Sequence, residues 1–332
     1  MSVVTTKRNW EHLAHEVIRG YEVSREDALQ ILRESDDRLL DLLSAAFVIR
    51  RKYFGKKVKL NMILNAKSGL CPEDCFYCSQ SIISEAPVEK YPLLSKETIL
   101  AGAEEARRRK AGTYCIVMSG RRPSNREIDQ VVEAVREIRA NTDLKICCCL
   151  GFLSPEHAEK LADAGVQRYN HNLNTSQKNY ENICTTHTYE DRVETIQQVK
   201  QAGMSPCSGA IFGMGETDEE RVDIAFSLKA LDADSIPCNF LNPIDGTPLA
   251  GRRELTPTAC LKILAMMRFV NPTKEIRISG GREVNLRHLQ PLGLYAANSI
   301  FVGDYLTTEG QLPDADWQMI EDLGFEIEEC AL

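Results

Sequence analysis

Eight short, apolar and β-branched segments that alternate with helical segments constrain the fold of this chain most strongly. The eight segments are residues 58–66, 113–120, 145–151, 166–173, 205–213, 234–243, 275–281 and 299–303. The helical segments between them, such as residues 125–140 and 256–270, carry apolar residues three and four positions apart. This alternation predicts βα units in a parallel sheet. Eight units over about 250 residues is the size of a closed, TIM-type (β/α)8 barrel.

An open, doubly wound sheet is the alternative α/β architecture. In that fold a GxGxxG turn after the first strand binds a dinucleotide, and the sequence has no such turn there. We therefore predict a barrel over residues 56–325, preceded by a helical extension over residues 1–55 and followed by a tail over residues 326–332. Within the extension, Ser24 is the expected N-cap of a helix, with Asp27 at its N3 position.

Charge and hydropathy exclude several classes of protein. The net charge of −8 argues against a surface that binds nucleic acid. The N-terminal segment has no apolar signal core, and no stretch approaches the roughly 18 apolar residues of a membrane-spanning helix. The sequence thus predicts a cytoplasmic protein. The chain has 12 cysteines, and cytosolic reductants keep thiols free, so metal ligation or catalysis is a better explanation than disulfides.

Three of these cysteines lie close together in the stretch GLCPEDCFYCSQS, where Cys71, Cys75 and Cys78 form a CxxxCxxC pattern. In the predicted barrel this stretch is the loop after the first strand, at the end where active sites lie. A structural zinc site requires four ligands, usually in paired spacing, and the fourth is missing here. The ferredoxin pattern, CxxCxxC with a further cysteine before proline, is also absent. The spacing favours a [4Fe–4S] cluster with three cysteine ligands and one iron open to a small molecule.

Further cysteines fall on the predicted strands. Cys115 lies on the second strand, Cys147, Cys148 and Cys149 on the third, and Cys207 on the fifth. Side chains alternate across a strand, so Cys147 and Cys149 share a face and Cys148 points the other way. A single cysteine on a strand is most often a small buried apolar residue. Several thiols that converge on one barrel interior instead favour a second cluster.

The three-cysteine pattern, with Tyr77 before its last cysteine, resembles the signature of the radical S-adenosylmethionine (SAM) enzymes. From about residue 37 to about residue 325 the chain resembles the biotin synthase family of that superfamily, through GLCPEDCFYCSQS, YNHNLNT, CSGAIFGMGET, NPIDGTPL, IRISGGRE and AANSIFVGDYLTT in this order. The resemblance implies a (β/α)8 homodimer whose open iron binds SAM and whose cluster cleaves it to a 5′-deoxyadenosyl radical. The radical enables sulfur insertion into dethiobiotin, which forms biotin.

The resemblance also implies an auxiliary [2Fe–2S] cluster deep in the barrel, held by Cys115, Cys147, Cys207 and Arg277, that supplies the sulfur. From the residue alone, a buried salt bridge is the expected role of Arg277, because a guanidinium is almost always protonated. The alternation of side chains leaves Cys149 as an alternative to Cys147. The family block, in which the ligand stands four residues before a glycine, selects Cys147, and another type of auxiliary cluster stays open.

For the substrate, the resemblance implies that Asn170, Asn172 and Asn239 face the ureido group of dethiobiotin. An amide offers both donors and an acceptor, which suits that group. A loop network of asparagines is the alternative role for the YNHNLNT block. Lys67 is the expected partner of the dethiobiotin carboxylate, with an exposed lysine as the alternative, and His171 is expected to be structural.

For SAM, the expected contacts are Tyr77, Asn172, Asn174, Gly209 and Ile211. Asn174 stands where many family members have aspartate, which replaces a charged acceptor for the ribose with a neutral one. Ile211 is expected against the adenine. Gly209 would let the backbone approach a ligand, and the alternative role of this glycine is close packing or a turn.

The resemblance further implies a reducing partner such as flavodoxin or ferredoxin, and the iron–sulfur assembly machinery. One alternative function is another radical SAM activity, of the mutase or hydrogenase-maturation type, which would not need Cys115, Cys147, Cys207 and Arg277 together. A second alternative, from another class, is a non-catalytic iron–sulfur carrier. Such a carrier would not convert SAM to 5′-deoxyadenosine.

Overall fold

The structure is a computed structural model that describes residues 8–328. The first seven residues of the predicted extension, which begin the N-terminal segment without an apolar signal core, lie outside the described residues. Residues 329–332 of the predicted tail also lie outside them. Within the described part, no helix is both long and apolar enough to cross a membrane.

The strands confirm the predicted alternation. They are β1 (Lys57–Lys67), β2 (Thr113–Met118), β3 (Lys145–Cys149), β4 (Arg168–Asn170), β5 (Ser205–Cys207), β6 (Ala210–Phe212), β7 (Ser235–Phe240), β8 (Glu275–Ile278), β9 (Ser299–Phe301) and β10 (Glu326–Ile327). β5 and β6 are successive parts of one segment, and both pair with β7. All pairings between the strands are parallel, and β9 returns to β1 with Leu60 opposite Ile300. The sheet is therefore the closed (β/α)8 barrel that the sequence predicts.

Helices surround the barrel and fill most of the connections. They are α1 (Trp10–Ile18), α2 (Arg25–Leu32), α3 (Leu39–Phe54), α4 (Lys96–Arg108), α5 (Asn125–Asn141), α6 (Pro155–Asp163), α7 (Tyr189–Gln201), α8 (Asp218–Ala230), α9 (Pro257–Val270), α10 (Arg282–Leu286), α11 (Gln290–Gly293) and α12 (Pro313–Asp322). Short 3-10 turns cover Asp36–Arg38, Tyr180–Asn182 and Arg287–Leu289. Reciprocal capping boxes begin α2, α5, α7 and α8, and the Ser24–Asp27 pair at α2 is as predicted.

The N-terminal helices pack on the outside of the barrel, where α2 contacts α8 and α9 while α3 contacts α9. A buried arginine fastens this layer to the barrel base. The Arg50 guanidinium donates to the backbone oxygens of Ala297 and Lys57, each at 2.9 Å. Burial without a carboxylate partner lowers the pKa of Arg50 to about 10. Backbone oxygens of the barrel thus stabilise a buried charge of the N-terminal extension.

The alternation of side chains along the strands separates two environments. Ile116 and Cys148 point outward into the apolar layer beneath the helices. Cys115 and Cys147, their neighbours along β2 and β3, face the barrel interior with Phe301. Thiols and charged groups therefore occupy an interior that an ordinary barrel fills with branched apolar side chains.

Candidate active site

A cavity of about 360 Å³ opens at the C-terminal ends of the barrel strands. This is the end of the fold at which barrel enzymes place their active sites. Most of the residues that the sequence singles out line its wall, namely Tyr77, Cys115, Cys147, Asn170, Asn172, Asn174, Ile211, Asn239 and Arg277. The cavity therefore connects the region of the three-cysteine loop with the barrel interior.

Three cysteines from three strands meet at the bottom of this cavity. Cys115 lies directly opposite Cys147 in the register of β2 and β3. The Cys147 thiol lies close enough to both Cys115 and Cys207 to interact with them electrostatically. The Cys115 thiol and burial raise the pKa of Cys147 well above that of a free thiol, against an opposing effect of Cys207, and the Cys147 thiol and burial raise the pKa of Cys207. We refer to Cys115, Cys147, Cys207 and Arg277 as the deep site.

Arg277 on β8 completes the deep site. Its Nη1 lies 4.0 Å from the Cys207 sulfur, and its Nη2 donates to Glu275 Oε1 and to Ser235 Oγ, each at 2.8 Å. The salt bridge expected from the residue type is present, and the same guanidinium reaches the thiols. Burial opposes the charge, but the adjacent Cys207 sulfur and the Glu275 carboxylate raise the pKa of Arg277 above its usual value.

The floor beneath the deep site is positively charged. Glu275, which is 4% exposed, accepts from Lys59 at 2.9 Å, from Arg168 at 2.7 Å and from Arg277. Burial disfavours its carboxylate, yet Arg168, Arg277 and Lys59 together hold the pKa of Glu275 well below the usual range. One carboxylate thus faces three cations. Sequence reasoning missed this network because its members lie on three strands and share no local pattern.

Cys149 shares the inner face of β3 with Cys147, as the alternation of side chains requires. It lies opposite Val117 in the register, one step nearer the cavity mouth than the Cys115–Cys147 pair, and it lines the cavity. Burial raises the pKa of Cys149 to about 12. The structure therefore places Cys147, and not Cys149, between the two other thiols of the deep site.

The three-cysteine loop leaves β1 through a tight turn in which Gly69 and Leu70 both have positive φ, 65° and 55°. Backbone bonds hold the loop, including Cys78 N to Cys75 O at 3.0 Å and Phe76 N to Ile183 O at 2.9 Å. Burial raises the pKa of Cys78 to about 11. The loop presents three thiols and no fourth ligand of its own, a donor set that fits a cluster with one open iron.

The segment after the 3-10 turn Tyr180–Asn182 packs against this loop and was missed by sequence reasoning. Cys184 Sγ lies 3.8 Å from Cys75 Sγ, 3.3 Å from His187 Nδ1 and 3.2 Å from Asp74 Oδ1. The Cys75 contact lowers the pKa of Cys184 and raises that of Cys75. The one sequence signal is the CTTH spacing of a second cysteine with a histidine three positions later.

The amides predicted to bind substrate are held in place by backbone and by one another. Asn172 Oδ1 accepts from Asn170 Nδ2 at 3.1 Å and from Gly209 N at 3.0 Å. Asn239 donates to Ala210 O at 3.1 Å and accepts from Gly280 N at 2.9 Å. Their orientations are therefore fixed before any ligand binds.

Gly209 serves close packing, the alternative role for this glycine. A Cβ on Gly209 would overlap the carbonyl oxygen of Pro237 on β7. Its own N–H holds the Asn172 oxygen. Gly209 thus acts on the cavity through the position of Asn172.

Arg192 of α7 is a buried cation on the cavity wall that sequence reasoning did not identify. It donates to Asn172 O at 3.1 Å and to His187 Nε2 at 2.8 Å. With the Asn174 amide turned so that its oxygen accepts, that oxygen lies 3.0 Å from Arg192 Nη2 and 2.6 Å from the Tyr77 hydroxyl. Nothing in the sequence near Arg192 distinguishes it from the other charged residues of a surface helix.

Of two further predicted residues, Lys67 lies outside the cavity wall, whereas His171 is part of it. The Lys67 ammonium pairs with Glu127 Oε1 at 2.7 Å, and Lys67 is not among the residues that line the cavity. His171 packs edge-on against Phe152, with ring centroids 5.0 Å apart. Burial lowers the pKa of His171 well below its usual value, so the ring is neutral.

Comparison with known protein families matches two models along the chain. Residues 67–228 match the Radical SAM superfamily. Residues 237–326 match the Biotin and Thiamin Synthesis associated domain. The first match contains the three-cysteine loop, and the second contains Arg277.

Solved structures show the same fold at low sequence identity. Methylornithine synthase superposes with a TM-score of 0.84 and 22% identity, covering 96% of this chain and 97% of that chain. The FeFe-hydrogenase maturase HydG from Carboxydothermus hydrogenoformans gives a TM-score of 0.82 and 17% identity, covering 97% and 80%. These identities establish the shared fold alone.

Relatives at much higher identity decide the family. Biotin synthases of Bacillus thuringiensis (strain Al Hakam) and of Bacillus anthracis are each 69% identical to this chain over 332 residues, which is 100% of this chain and of each relative. Both family models and the full-length identity agree with the blocks quoted above. The chain belongs to the biotin synthase family of radical SAM enzymes.

Proposed function

We propose that this chain is a biotin synthase, which uses SAM to insert sulfur into dethiobiotin. Full-length identity of 69% to biotin synthases supports the activity. The structural observation that carries the proposal is the single cavity, whose wall includes Tyr77 of the three-cysteine loop and reaches Cys115, Cys147 and Arg277 of the deep site. A substrate in this cavity would lie between the three-cysteine loop, where the radical forms, and the deep site, which supplies the sulfur.

Cys71, Cys75 and Cys78 would hold the [4Fe–4S] cluster, because they supply three thiols from one loop. When bound there, the cluster and SAM supply a radical that removes hydrogen from an unactivated C–H bond. The protein itself contributes the position of the three-cysteine loop. Backbone bonds such as Phe76 N to Ile183 O fix the loop against the segment before α7.

Arg192, Asn172, Asn174 and Tyr77 would bind SAM. A buried guanidinium offers several donors in a fixed geometry, which suits the carboxylate of the methionine moiety. In the turned orientation the Asn174 amide oxygen lies 2.6 Å from the Tyr77 hydroxyl, and the two side chains offer neutral polar groups for the ribose hydroxyls. Ile211 on the same wall provides an apolar surface for the adenine.

Dethiobiotin would lie between the asparagines and the apolar wall. Asn170, Asn172 and Asn239 face its ureido group, and because protein contacts already orient their amides, little rotamer freedom is lost on binding. Val117 and Phe301 give the carbon chain a dry surface that keeps water from the reacting carbon. Lys67 is the proposed partner of the substrate carboxylate, and this contact requires it to exchange Glu127.

The deep site would hold the auxiliary [2Fe–2S] cluster that donates sulfur, with Cys115, Cys147, Cys207 and Arg277 as ligands. Three thiolates bring three negative charges into a buried place, which is costly unless opposite charge lies close by. Lys59 and Arg168, which both pair with Glu275 beneath the site, provide that charge. The floor therefore stabilises the ionised form of the thiols.

The remaining parts of the proposal concern the protein's surroundings. We propose that it acts in the cytoplasm as a homodimer, with flavodoxin or ferredoxin as the source of electrons. The iron–sulfur assembly machinery would rebuild the auxiliary cluster, since sulfur donation consumes it.

The test is anaerobic reconstitution of the full chain with iron and sulfide, followed by SAM, dethiobiotin and a chemical reductant. We expect both 5′-deoxyadenosine and biotin. Cleavage of SAM without biotin in every reconstituted preparation would identify another radical SAM activity. Cluster binding without any 5′-deoxyadenosine would identify a non-catalytic iron–sulfur carrier.

A further inference from the structure

We propose that Cys184 is the disulfide partner of Cys75 whenever the three-cysteine loop has lost its cluster. This inference rests on the proposed function, in which Cys75 is a cluster ligand. The two sulfurs lie 3.8 Å apart and come from positions 109 residues apart in the sequence. A disulfide needs an S–S distance of about 2.05 Å. The sulfurs must therefore approach by less than 2 Å, a movement that side-chain rotation supplies in large part.

The contact between the two cysteines is built into the fold. Asp74 Oδ1 accepts from the backbone N–H of Thr185 at 2.9 Å, and Glu73 Oε2 accepts from Thr186 Oγ1 at 2.6 Å. Phe76 N donates to Ile183 O at 2.9 Å. These bonds lie on both sides of the two cysteines and hold the loop and the segment before α7 together. The fold consequently holds the two sulfurs 3.8 Å apart.

Further contacts from Arg121 and Arg192 hold the segment before α7 in place. Arg121 donates to Thr186 O at 2.8 Å and pairs with Glu73 at 3.0 Å. His187 is hydrogen-bonded to Glu73 through Nδ1 and receives the Arg192 guanidinium at Nε2, 2.8 Å away. Both nitrogens of His187 are thus hydrogen-bonded within this network, and the thiol in contact with Cys184 is that of Cys75, 3.8 Å away.

The oxidant in the proposed reaction is hydrogen peroxide. The sulfur of one of the two cysteines attacks one peroxide oxygen, which breaks the O–O bond, releases one water and forms a sulfenic acid. The sulfur of the other cysteine then attacks that oxidised sulfur and displaces its hydroxyl as a second water. Two thiols lose two electrons and two protons, one peroxide becomes two waters, and an external dithiol reverses the bond by exchange.

The disulfide has two consequences for the enzyme. Cys75 is kept from the sulfinic and sulfonic acids, which are not reduced back by thiols. At the same time the loop retains only Cys71 and Cys78 as free ligands, so a cluster cannot be rebuilt until the bond is reduced. Cys184 thus makes the damage that follows cluster loss reversible.

The test uses the full chain, stripped of iron with a chelator under reducing and anaerobic conditions and then freed of reductant. One equivalent of hydrogen peroxide is added, free thiols are alkylated, and peptides are analysed by mass spectrometry. We expect a Cys75–Cys184 cross-link as the main product, with its loss in Cys184→Ser. The matched control is Cys238→Ser, a buried thiol in the apolar layer, which should keep the cross-link.

Reconstitution provides a second readout. After peroxide and then dithiothreitol, the original chain should regain most of its [4Fe–4S] absorption, while Cys184→Ser should regain several-fold less and carry sulfinic acid at Cys75. Quantitative alkylation of Cys184 after peroxide, or cross-linking of Cys75 to Cys71 or Cys78, would overturn the inference. If untreated protein binds no cluster and cleaves no SAM, the proposed function fails, whatever the cross-linking result.

Discussion

The three-cysteine loop and the deep site place cysteines in opposite kinds of structure. The cysteines of the loop fall within eight positions of one irregular segment, with Cys71 and Cys78 partly exposed. The residues of the deep site come from β2, β3, β5 and β8, and all are buried. The loop is suited to a cofactor that must leave one coordination place open to an incoming ligand. The strands are suited to sulfur that must stay away from water.

The charged residues around the three-cysteine loop also differ from those around the deep site. At the loop, Glu73 and Asp74 are themselves bound by Thr185, Thr186 and His187, so charges near the cysteines are locally balanced. Beneath the deep site, three cations surround the single carboxylate of Glu275. An excess of positive charge favours thiolates and an anionic cluster. The difference indicates that the deep site depends on residues well beyond its own ligands.

The largest expected effect comes from the loop. Cys78→Ala leaves two thiols, so we expect both 5′-deoxyadenosine and biotin to fall to background, together with the [4Fe–4S] absorption. Cys260→Ala, which removes a buried thiol from α9 far from the cavity, should retain all three. Residual SAM cleavage in Cys78→Ala would show that two cysteines suffice and would remove the main distinction between the two sites.

The next effect concerns the choice of ligand in the deep site. Cys147 contacts both Cys115 and Cys207, whereas Cys149 lies one step nearer the cavity mouth. We expect Cys147→Ala to lose the [2Fe–2S] absorption and Cys149→Ala to keep it, as measured by absorption and iron content after identical reconstitution. The reverse result would assign the ligand to Cys149 and move the auxiliary cluster toward the mouth.

Glu275→Gln tests the charged floor. The change removes the carboxylate that Arg168 and Arg277 share, while Lys59 keeps Glu328 at 3.7 Å. Loss of one partner of a buried pair costs roughly 3–5 kcal/mol. We expect the free energy of unfolding in urea to fall by about that amount. The control is Glu137→Gln, which breaks an exposed pair with Lys96 and should cost less than about 1 kcal/mol. An equal loss of unfolding free energy in the two variants would show that the ion pairs around Glu275 contribute no more than exposed pairs do.

The smallest expected effect is at Asn174. Asn174→Asp gives the ribose hydroxyls a charged acceptor beside Tyr77, and a charge-assisted hydrogen bond exceeds a neutral one by about 1 kcal/mol. We expect the Kd for SAM, measured by calorimetry on the reconstituted chain, to fall about fivefold. An unchanged or higher Kd would show that Asn174 serves Arg192 rather than SAM.

The contrast between a local loop and a site assembled from several strands explains what could be predicted from the sequence. The eight barrel strands and the Cys71–Cys78 loop follow from local patterns, and the structure contains both. Cys147 could be preferred to Cys149 only through the family resemblance, because the choice depends on the register between β2 and β3. The Glu275 floor carries no local signal, since folding alone brings together residues as many as 216 positions apart. The Cys75–Cys184 contact has only the CTTH spacing as a signal, and that spacing does not name Cys75 as the partner. Lys67 was predicted from its proximity to the loop, but a carboxylate on α5 pairs with it.

The most direct test that the loop cleaves SAM and the deep site supplies sulfur is the ratio of biotin to 5′-deoxyadenosine formed by Cys147→Ala. Cys148→Ala, on the outer face of the same strand, is the matched control, and both proteins are assayed anaerobically with SAM and dethiobiotin. We expect Cys147→Ala still to form 5′-deoxyadenosine but to make no biotin, and Cys148→Ala to make both. Biotin formed by Cys147→Ala at the rate of the original chain would show that the sulfur comes from somewhere other than the deep site.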